Sequence, residues 1–290
     1  MNQVAGTLYI VPTPIGNLED MTLRGIRILR EVSFIAAEDT RHTRKLLTHY
    51  DIHPKQIFSY HQHNLKQAGE KIQSLLASGL SGALVSDAGM PGVSDPGELL
   101  TRDLTRWGFR VEVLPGPSAF ITALVGSGLP VKYFAFVGFL PVPKKERRQV
   151  LMRLLKYEGT LVFYEAPHRL RDTLAALQSV FGDRELVIVK ELTKVHETYY
   201  RGNLRDYDQM AEETLLRGEF VLMVAGALPA DTMIEENAAM STEDIVQLVQ
   251  NYIDNGMNKK EAMKEVAKTR SLSRRVVYQA LLDVKDQGDQ

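Results

Sequence analysis

The chain of 290 residues contains no cysteine. This absence excludes disulfide bonds, and it excludes zinc or iron–sulfur sites that depend on thiolate ligands. Long apolar runs are also missing, since none approaches the roughly 20 residues that a membrane-spanning helix needs. The first residues lack the basic and apolar regions of a secretory signal. We therefore expect a cytoplasmic protein with no membrane partner.

An excess of charge is missing as well. The chain has 35 lysines and arginines against 36 aspartates and glutamates, so its formal net charge is −1. Affinity for nucleic acid would then have to come from local basic patches rather than from a global field. His61 and His63 have no obvious third ligand, and we interpret them as surface residues. The sequence predicts no metal site.

Three turn-rich loops follow apolar, strand-like runs. Residues 86–97 read SDAGMPGVSDPG, where glycines permit backbone angles that a side chain would forbid, and prolines fix others. Such a loop can be rigid while its amides stay open to a ligand. Residues 114–119 read LPGPSA and place Ser118 at a helix N-cap. Residues 12–17, PTPIGN, have neither the dinucleotide nor the phosphate-loop glycine spacing.

Strand and helix patterns alternate in the first part of the chain. Strand patterns lie at 8–11, 34–37, 82–85 and 111–114, and helical patterns lie between them, as at 22–32 and 68–77. This alternation predicts an open, parallel α/β sheet whose carboxyl edge binds the ligand. Later strand patterns at 133–139, 160–164, 185–190 and 219–224 predict a second α/β domain with a more mixed sheet.

The tail is different in kind. Helical patterns at 240–255, 259–268 and 274–284, with a serine turn at 271–273, resemble a helix-turn-helix, and this stretch is locally basic. A small helical appendage or dimerisation bundle is an equally weighted alternative. We place the domains at 1–118, 119–230 and 231–290, the last being an all-helical extension.

Charged residues cluster where predicted strands end. The run 36–44, AAEDTRHTR, follows the second strand, and the run 162–169, VFYEAPHR, ends another strand in the same way. Side chains of both signs at one sheet edge suit a cleft between domains. Residues 140–148, LPVPKKERR, are predicted to form a basic, proline-braced loop that meets phosphates or is merely solvated.

Together these motifs resemble the tetrapyrrole methylase-like superfamily of S-adenosylmethionine-dependent methyltransferases, and within it the RNA-directed branch. That branch methylates a cytidine ribose 2′-oxygen in the decoding region of small-subunit ribosomal RNA. The resemblance implies two α/β domains, S-adenosylmethionine in the cleft between them, and a homodimer. It implies these cofactor-binding residues: Pro12, Asp87, Ala88, Gly89, Met90, Val93, Ser118, Ala119 and Tyr164.

The resemblance and the strand-end positions together suggest catalytic roles. We predict Glu165 and Asp39 as proton acceptors or orienting groups, with Arg41, His168 and Lys190 polarising the oxygen or neutralising a flanking phosphate. Small-subunit ribosomal RNA, preferably in an assembled particle, is the predicted partner. Its predicted contacts are Lys144, Lys145, Arg147, Arg148, Lys259, Lys260, Arg274 and Arg275.

The sequence is also compatible with two alternatives. A small-molecule methyltransferase acting on a tetrapyrrole precursor would also use the arginines, but it has no need of a basic tail. A nucleic-acid-binding regulator would use the tail as its reader and the α/β body as a ligand sensor. Transfer of label from S-adenosylmethionine to ribosomal subunits distinguishes the enzyme from binding without turnover.

Overall fold

A computed structural model describes residues 5–210, 218–228, 242–270 and 276–281. The chain divides into two compact units. One comprises Met1–Met152 with Gly159–Ala225, and the other comprises Arg153–Glu158 with Gly226–Gln290. Within the described ranges, no helix combines the length and the apolar character that crossing a membrane requires.

The first unit contains a parallel sheet of five strands in the order β3-β2-β4-β1-β5. The strands are β1 (Thr7–Ile10), β2 (Phe34–Ala37), β3 (Ile57–Ser59), β4 (Gly82–Val85) and β5 (Arg110–Val113). The helices that alternate with them are α1 (Leu23–Glu31), α2 (Thr40–His49), α3 (Leu65–Ala77) and α4 (Gly97–Arg106). Every residue of β2 and β4 is buried, because helices cover both faces of a parallel sheet.

A mixed sheet of five strands completes this unit, in the order β6-β7-β10-β8-β9. Its strands are β6 (Phe134–Phe139), β7 (Thr160–Glu165), β8 (Glu185–Lys190), β9 (Thr198–Asn203) and β10 (Phe220–Val224). The accompanying helices are α5 (Ala119–Ser127), α6 (Lys144–Leu154), α7 (Leu170–Phe181) and the short α8 (Tyr207–Met210). Only the β6–β7 pair is parallel among these pairings of described residues. The predicted α/β class with a mixed second sheet is therefore confirmed.

The directions of the strands bring several strand ends to one edge of the mixed sheet. β10 runs antiparallel to both β7 and β8, and Phe220 at its start pairs with Glu165 and with Lys190. The start of β10 therefore lies beside the carboxyl ends of β7 and β8. This edge carries the polar segments that the sequence places after those strands.

The prediction of a basic loop at 144–148 is wrong, because these residues form the first turns of α6. The backbone N–H of Arg147 donates to the carbonyl of Pro143 at 3.0 Å, which closes the first helical turn. Lysine, glutamate and arginine are good helix formers, and proline is tolerated just before and within the first turn. The two prolines, Pro141 and Pro143, thus restrict only the short connection between β6 and Lys144.

The second unit contains helices α9 (Thr242–Asp254) and α10 (Lys259–Thr269), and residues 276–281 are also helical. Ile245, Val249, Ala262, Val266 and Val277 are buried together as its core. Lys259 and Lys260 are exposed at the start of α10. The predicted serine turn and the predicted RNA contacts Arg274 and Arg275 lie outside the described residues.

Candidate active site

A cavity of about 400 Å³ opens where the carboxyl ends of the parallel strands face the equivalent edge of the mixed sheet. Ligand pockets in proteins are commonly of this size, and parallel sheets bind ligands at this edge. Seven of the nine predicted cofactor-binding residues line it: Ala88, Gly89, Met90, Val93, Ser118, Ala119 and Tyr164. Apolar side chains such as Ile15, Leu192 and Val221 supply much of the remaining wall.

The 86–97 loop is held by its own backbone and by the first loop. Gly89 and Thr13 exchange two backbone hydrogen bonds of 2.9 Å. Gly89 and Gly92 have φ values of +75° and +89°, which a side chain would strain. The Asp95 carboxylate accepts hydrogen bonds from the amides of Gly92 and Gly97 at 2.8–3.0 Å. The loop is therefore fixed before any ligand binds.

Gly97 is required for a different reason than the sequence suggests. Its φ is not positive, since it begins α4. A Cβ at this position would instead lie 2.8 Å from an oxygen of Asp95 and 2.8 Å from the amide nitrogen of Gly92. The glycine thus provides the space for the turn that Asp95 closes.

Some loop amides are used internally and others are open. The amides of Gly89, Gly92 and Gly97 are already bonded, so the expectation of open amides fails for these glycines. By contrast, the amides of Ala88, Met90 and Ala119 donate to no acceptor within the described chain. These residues line the cavity, and their donors suit the polar edge of an adenine or a carboxylate.

Ser118 is the N-cap residue of α5, as predicted, and its side chain makes no capping bond. The amide of Phe120 in the first turn of α5 donates to the Tyr164 hydroxyl oxygen at 3.2 Å. Burial raises the pKa of Tyr164 to about 12. Tyr164 therefore keeps its proton at physiological pH, and its O–H remains a donor at the cavity wall.

Pro12 and Asp87 lie outside this cavity. A Cβ on Gly116 would be 2.9 Å from the Pro12 Cβ, so Pro12 packs closely against the 114–119 loop. The Asp87 carboxylate accepts a hydrogen bond from the amide of Asp39 at 3.1 Å. It lines a neighbouring cavity of about 200 Å³ that shares Ser86 with the first.

The neighbouring cavity, which we call the His42 cavity, is lined by Thr13, His42, Thr43, Lys45, Ser86 and Asp87 among others. Thr43 is 2% exposed, and its hydroxyl has no hydrogen-bond partner in the described chain. A buried hydroxyl without a partner is costly. Together with His42 and Lys45, it provides donors suited to a polar or anionic group.

The predicted catalytic residues are not gathered in one place. Glu165 lines the large cavity, but its side chain is fully buried and bonded. Its oxygens accept from the amide of Ala166 at 2.8 Å and from the Thr173 hydroxyl at 2.6 Å, and Oε1 lies 3.3 Å from Nε of Arg169. This network occupies the carboxylate within the protein.

Asp39 and Arg41 form a local pair at the start of α2. The Asp39 carboxylate caps the helix through the amide of Arg41 at 2.8 Å and binds the Arg41 guanidinium at 2.7 Å. These bonds hold the pKa of Asp39 well below its usual range. Arg41 and His168 are exposed, and neither they nor Lys190 and Asp39 line either cavity.

Glu38 is an acid at the site that the sequence analysis did not select. It lines the large cavity and is half-buried, and burial raises its pKa, with nearby Asp87, Asp95 and Asp39 adding to the effect. Its carboxylate accepts one long hydrogen bond, 3.3 Å from the amide of Asp87. Its position directly after the fully buried strand β2 could have indicated a site residue. The adjacent Asp39 has almost the same position and was selected instead.

Acids dominate the charge of the large cavity. Glu38, Asp95, Glu165 and Glu219 line it, and no lysine or arginine does so within the described chain. Glu165 and Glu219 are paired with Arg169 and Lys194, whereas Glu38 and Asp95 form no ion pair with a described residue. Burial also raises the pKa of Asp95. The cavity therefore suits a ligand that carries positive charge and also presents acceptors to the open amides. S-adenosylmethionine has a sulfonium and an ammonium, which suit the acids, and a carboxylate and an adenine, which suit the open amides. The residues that line the cavity therefore fit this cofactor.

Comparison with known proteins agrees with this chemistry. Residues 7–208 match the family described as Tetrapyrrole (Corrin/Porphyrin) Methylases. A protein of Bacillus subtilis (strain 168) named ribosomal RNA small subunit methyltransferase I is 46% identical over 275 residues, covering 95% of this chain and 94% of its own length. A protein of the same name from Synechocystis sp. is 42% identical, covering 98% of this chain and all of the relative.

Solved structures share the fold at low sequence identity. A uroporphyrin-III-C-methyltransferase from Thermus thermophilus covers 80% of this chain and 98% of its own, with a TM-score of 0.55 and 21% identity. The cobalt precorrin-4 methyltransferase has a TM-score of 0.58 and 17% identity, covering 76% of this chain and 94% of its own. Taken with the family match and the near full-length relatives, the chain belongs to the tetrapyrrole methylase family and, within it, to the group named ribosomal RNA small subunit methyltransferase I.

Proposed function

We propose that this protein transfers a methyl group from S-adenosylmethionine to small-subunit ribosomal RNA, at the ribose 2′-oxygen of a cytidine in the decoding region. The relatives named ribosomal RNA small subunit methyltransferase I, at 42–46% identity over nearly the whole chain, support the reaction class and the substrate. The observation that carries the proposal on the structural side is the large cavity, which combines acids with unpaired amides.

S-adenosylmethionine, when bound, supplies an activated methyl group. In the proposal, the amides of Ala88, Met90 and Ala119 bind its acceptor atoms, and the Tyr164 hydroxyl contributes a further donor. Glu38 and Asp95, which form no ion pair with a described residue, balance its positive charge. The apolar wall excludes water from the reacting atoms, which strengthens each of these electrostatic contacts.

The His42 cavity is the proposed entry for the acceptor nucleotide. It adjoins the donor cavity at Ser86, and Lys45 provides a cation for a flanking phosphate, with the ring of His42 beside it. The unpartnered Thr43 hydroxyl is a donor and acceptor for a ribose or base edge. Alignment of the acceptor oxygen across Ser86 is then the main contribution of the protein to rate.

Methylation of a hydroxyl releases one proton, and Glu38 is the residue we propose to accept it. Its pKa is raised above the ordinary value of 4.5, which makes its carboxylate a stronger base. Glu165 and Asp39 have their oxygens engaged by Arg169 and Arg41. We propose that these two acids position the strand end and the start of α2, while Arg41, His168 and Lys190 remain hypotheses for contacts with phosphate.

The test uses small ribosomal subunits that lack the modification, together with S-adenosylmethionine labelled in its methyl group. The RNA is digested to nucleosides and separated by mass spectrometry, and we expect label in 2′-O-methylcytidine. Label on a base, or no label in RNA, contradicts the proposal. A parallel reaction with uroporphyrinogen III tests the tetrapyrrole alternative, and binding of the labelled donor without transfer would support the ligand-sensing regulator.

Preference for an assembled particle follows from the balanced charge of the chain. Few ionic contacts are available, so the shape of the subunit has to add to them. The exposed Lys144, Lys145 and Arg148, with Lys259 and Lys260 of the second unit, are proposed RNA contacts. Equal methylation of a short naked oligonucleotide would contradict this preference.

The proposed assembly is a homodimer that acts in the cytoplasm. Large apolar side chains are exposed on α5, where Ile121 is 41% and Val125 is 72% exposed, and on Tyr133, which is 66% exposed. An exposed apolar surface of this kind is typical of an interface. Light scattering of the purified chain at several concentrations measures the mass, and a monomer throughout would contradict the dimer.

A further inference from the structure

A second charged feature lies between helices α6 and α7, in a groove with a cavity of about 290 Å³. Lys144, Arg147 and Arg148 line it from α6. From α7 the wall includes one carboxylate, Asp172, and small residues such as Ala176 that leave the space open. Three cations thus face one acid. We call this feature the Arg147 groove.

Arg147 is buried, with only 5% of its surface exposed. Its guanidinium makes no hydrogen bond and no ion pair with any described residue. A guanidinium presents five N–H donors and no acceptor. The nitrogens of Arg147 nevertheless keep contact with solvent, through the groove that this residue lines.

A nearby arginine, Arg169, shows how a largely buried guanidinium is usually paired. Arg169, just before α7, has a side chain that is 17% exposed, and it is paired with Glu165 and with the carbonyl of Leu140. Arg147 is more buried than Arg169 and lacks such partners. Asp172 lines the same groove, but it forms no ion pair within 4 Å among the described residues. The groove therefore presents a largely buried guanidinium that is open to solvent and bonded to no anion of the described chain.

We propose that the Arg147 groove binds a phosphodiester of the RNA backbone. Arginine presents several donors in a planar fork that matches a phosphate with two parallel hydrogen bonds. The exposed Lys144 and Arg148 flank Arg147 and can contact a second phosphate. This inference rests on the proposed action on RNA, and it names where the substrate is held away from the reacting atoms.

The chain places the groove close to the donor cavity. Phe139 ends β6 and lines that cavity, and Lys144 follows it by five positions. Five residues span at most about 17 Å. A few nucleotides of extended RNA cover that distance, so one strand can reach both the cavity and the groove.

The test compares Arg147→Met with a matched control, Arg153→Met, which removes an exposed arginine from the same helix. Affinity for small ribosomal subunits is measured at several salt concentrations. We expect Arg147→Met to weaken binding about ten- to a hundredfold, as the loss of a charge-assisted pair does. The slope of log affinity against log salt should fall by about 0.7, the value for one phosphate of a single strand. Equal behaviour of the two variants would overturn the proposal.

Thermal unfolding of the free protein provides a readout that a structural arginine would not give. Arg147→Met should leave the melting temperature of the free protein nearly unchanged, since the guanidinium meets solvent and bonds no described residue, whereas loss of a packed and paired arginine would lower it. Pyrophosphate should raise the melting temperature of the wild type and of Arg153→Met, but not that of Arg147→Met. Lack of such a response in the wild type would count against the groove.

A second variant keeps the test independent of the fold of Arg147→Met. Ala176→Leu fills the groove while Arg147 remains, and it should weaken RNA binding without changing the affinity for S-adenosylmethionine. Unchanged RNA binding would contradict the proposal. These measurements require no methyl transfer, so failure of the proposed activity would be seen separately as RNA binding at the groove without turnover.

Discussion

Glu165 offers a sharp test of whether an acid at the cavity reacts or supports. Its fully buried side chain is held by the amide of Ala166, the hydroxyl of Thr173 and the guanidinium of Arg169. Removing one partner of a buried ion pair costs about 3–5 kcal/mol, because the other charge is left without compensation. In Glu165→Ala that charge is on Arg169, whose side chain is 17% exposed.

The expected change in melting temperature follows from this figure. For a unit of this size, 1 kcal/mol shifts the midpoint by about 2–4 °C, so Glu165→Ala should unfold about 6–20 °C earlier. Thr173→Val removes only the hydroxyl and should cost about 1.5–3 kcal/mol, the usual value for a hydrogen bond to a charged group. Glu70→Ala, at an exposed position on α3, is the control and should change stability little.

Calorimetry and denaturant titration measure these changes, and methylation is then assayed well below each midpoint. If Glu165 only positions the strand end, the rate of the folded variant should fall less than tenfold. A proton-transfer role would instead lower the rate about 10²–10⁴-fold. Such a loss with an unchanged free energy of unfolding would refute our reasoning and restore Glu165 as the reacting acid.

Three further predictions concern other residues. Glu38→Gln should have a higher free energy of unfolding than the wild type at pH 7–8, because the raised pKa of Glu38 means that the fold disfavours its charged form. This gain should disappear as the pH falls towards 4.5, where Glu38 becomes protonated in both the folded and the unfolded state. The methylation rate of the variant should drop. Asn258→Ala should destabilise the second unit by about 1 kcal/mol in thermal unfolding, since its side chain caps the amide of Glu261 at 2.9 Å. Gly16→Ala should lower both stability and donor affinity by calorimetry, because a Cβ would lie 2.7 Å from the Leu192 carbonyl oxygen.

The buried strands were the most predictable part of the fold. The bounds of β2, β4 and β8 match the predicted strands. β2 and β4 are buried throughout and have no polar position, and β8 has a buried apolar centre between Glu185 and Lys190. β3 and β9 were not predicted. β3 has only three residues, and β9 is an edge strand of mixed composition whose residues are half-buried or exposed.

The candidate site was predictable as a set of loops but not as a set of contacts. Short-range patterns locate the 86–97 and 114–119 loops at the sheet edge. They do not reveal that the Gly89 amide is taken by Thr13, a partner far away in the chain. Nor do they distinguish Asp39, which is neutralised by Arg41, from Glu38, which faces the cavity. Pairing between distant residues decides which polar groups remain available.

Uncompensated charge therefore separates the proposed functional groups from the supporting ones. Glu38 is half-buried with a single long hydrogen bond, and Arg147 is buried with no partner in the described chain. The burial that raises the pKa of Glu38 costs stability, and the Arg147 guanidinium gains no bond from the described chain. Their signs are opposite, and each matches one substrate: an acid at the cavity proposed for the cationic donor, and a cation at the groove proposed for the anionic acceptor. If stability alone determined the sequence, we would expect both charges to be paired, as Glu165 is paired with Arg169 in this protein.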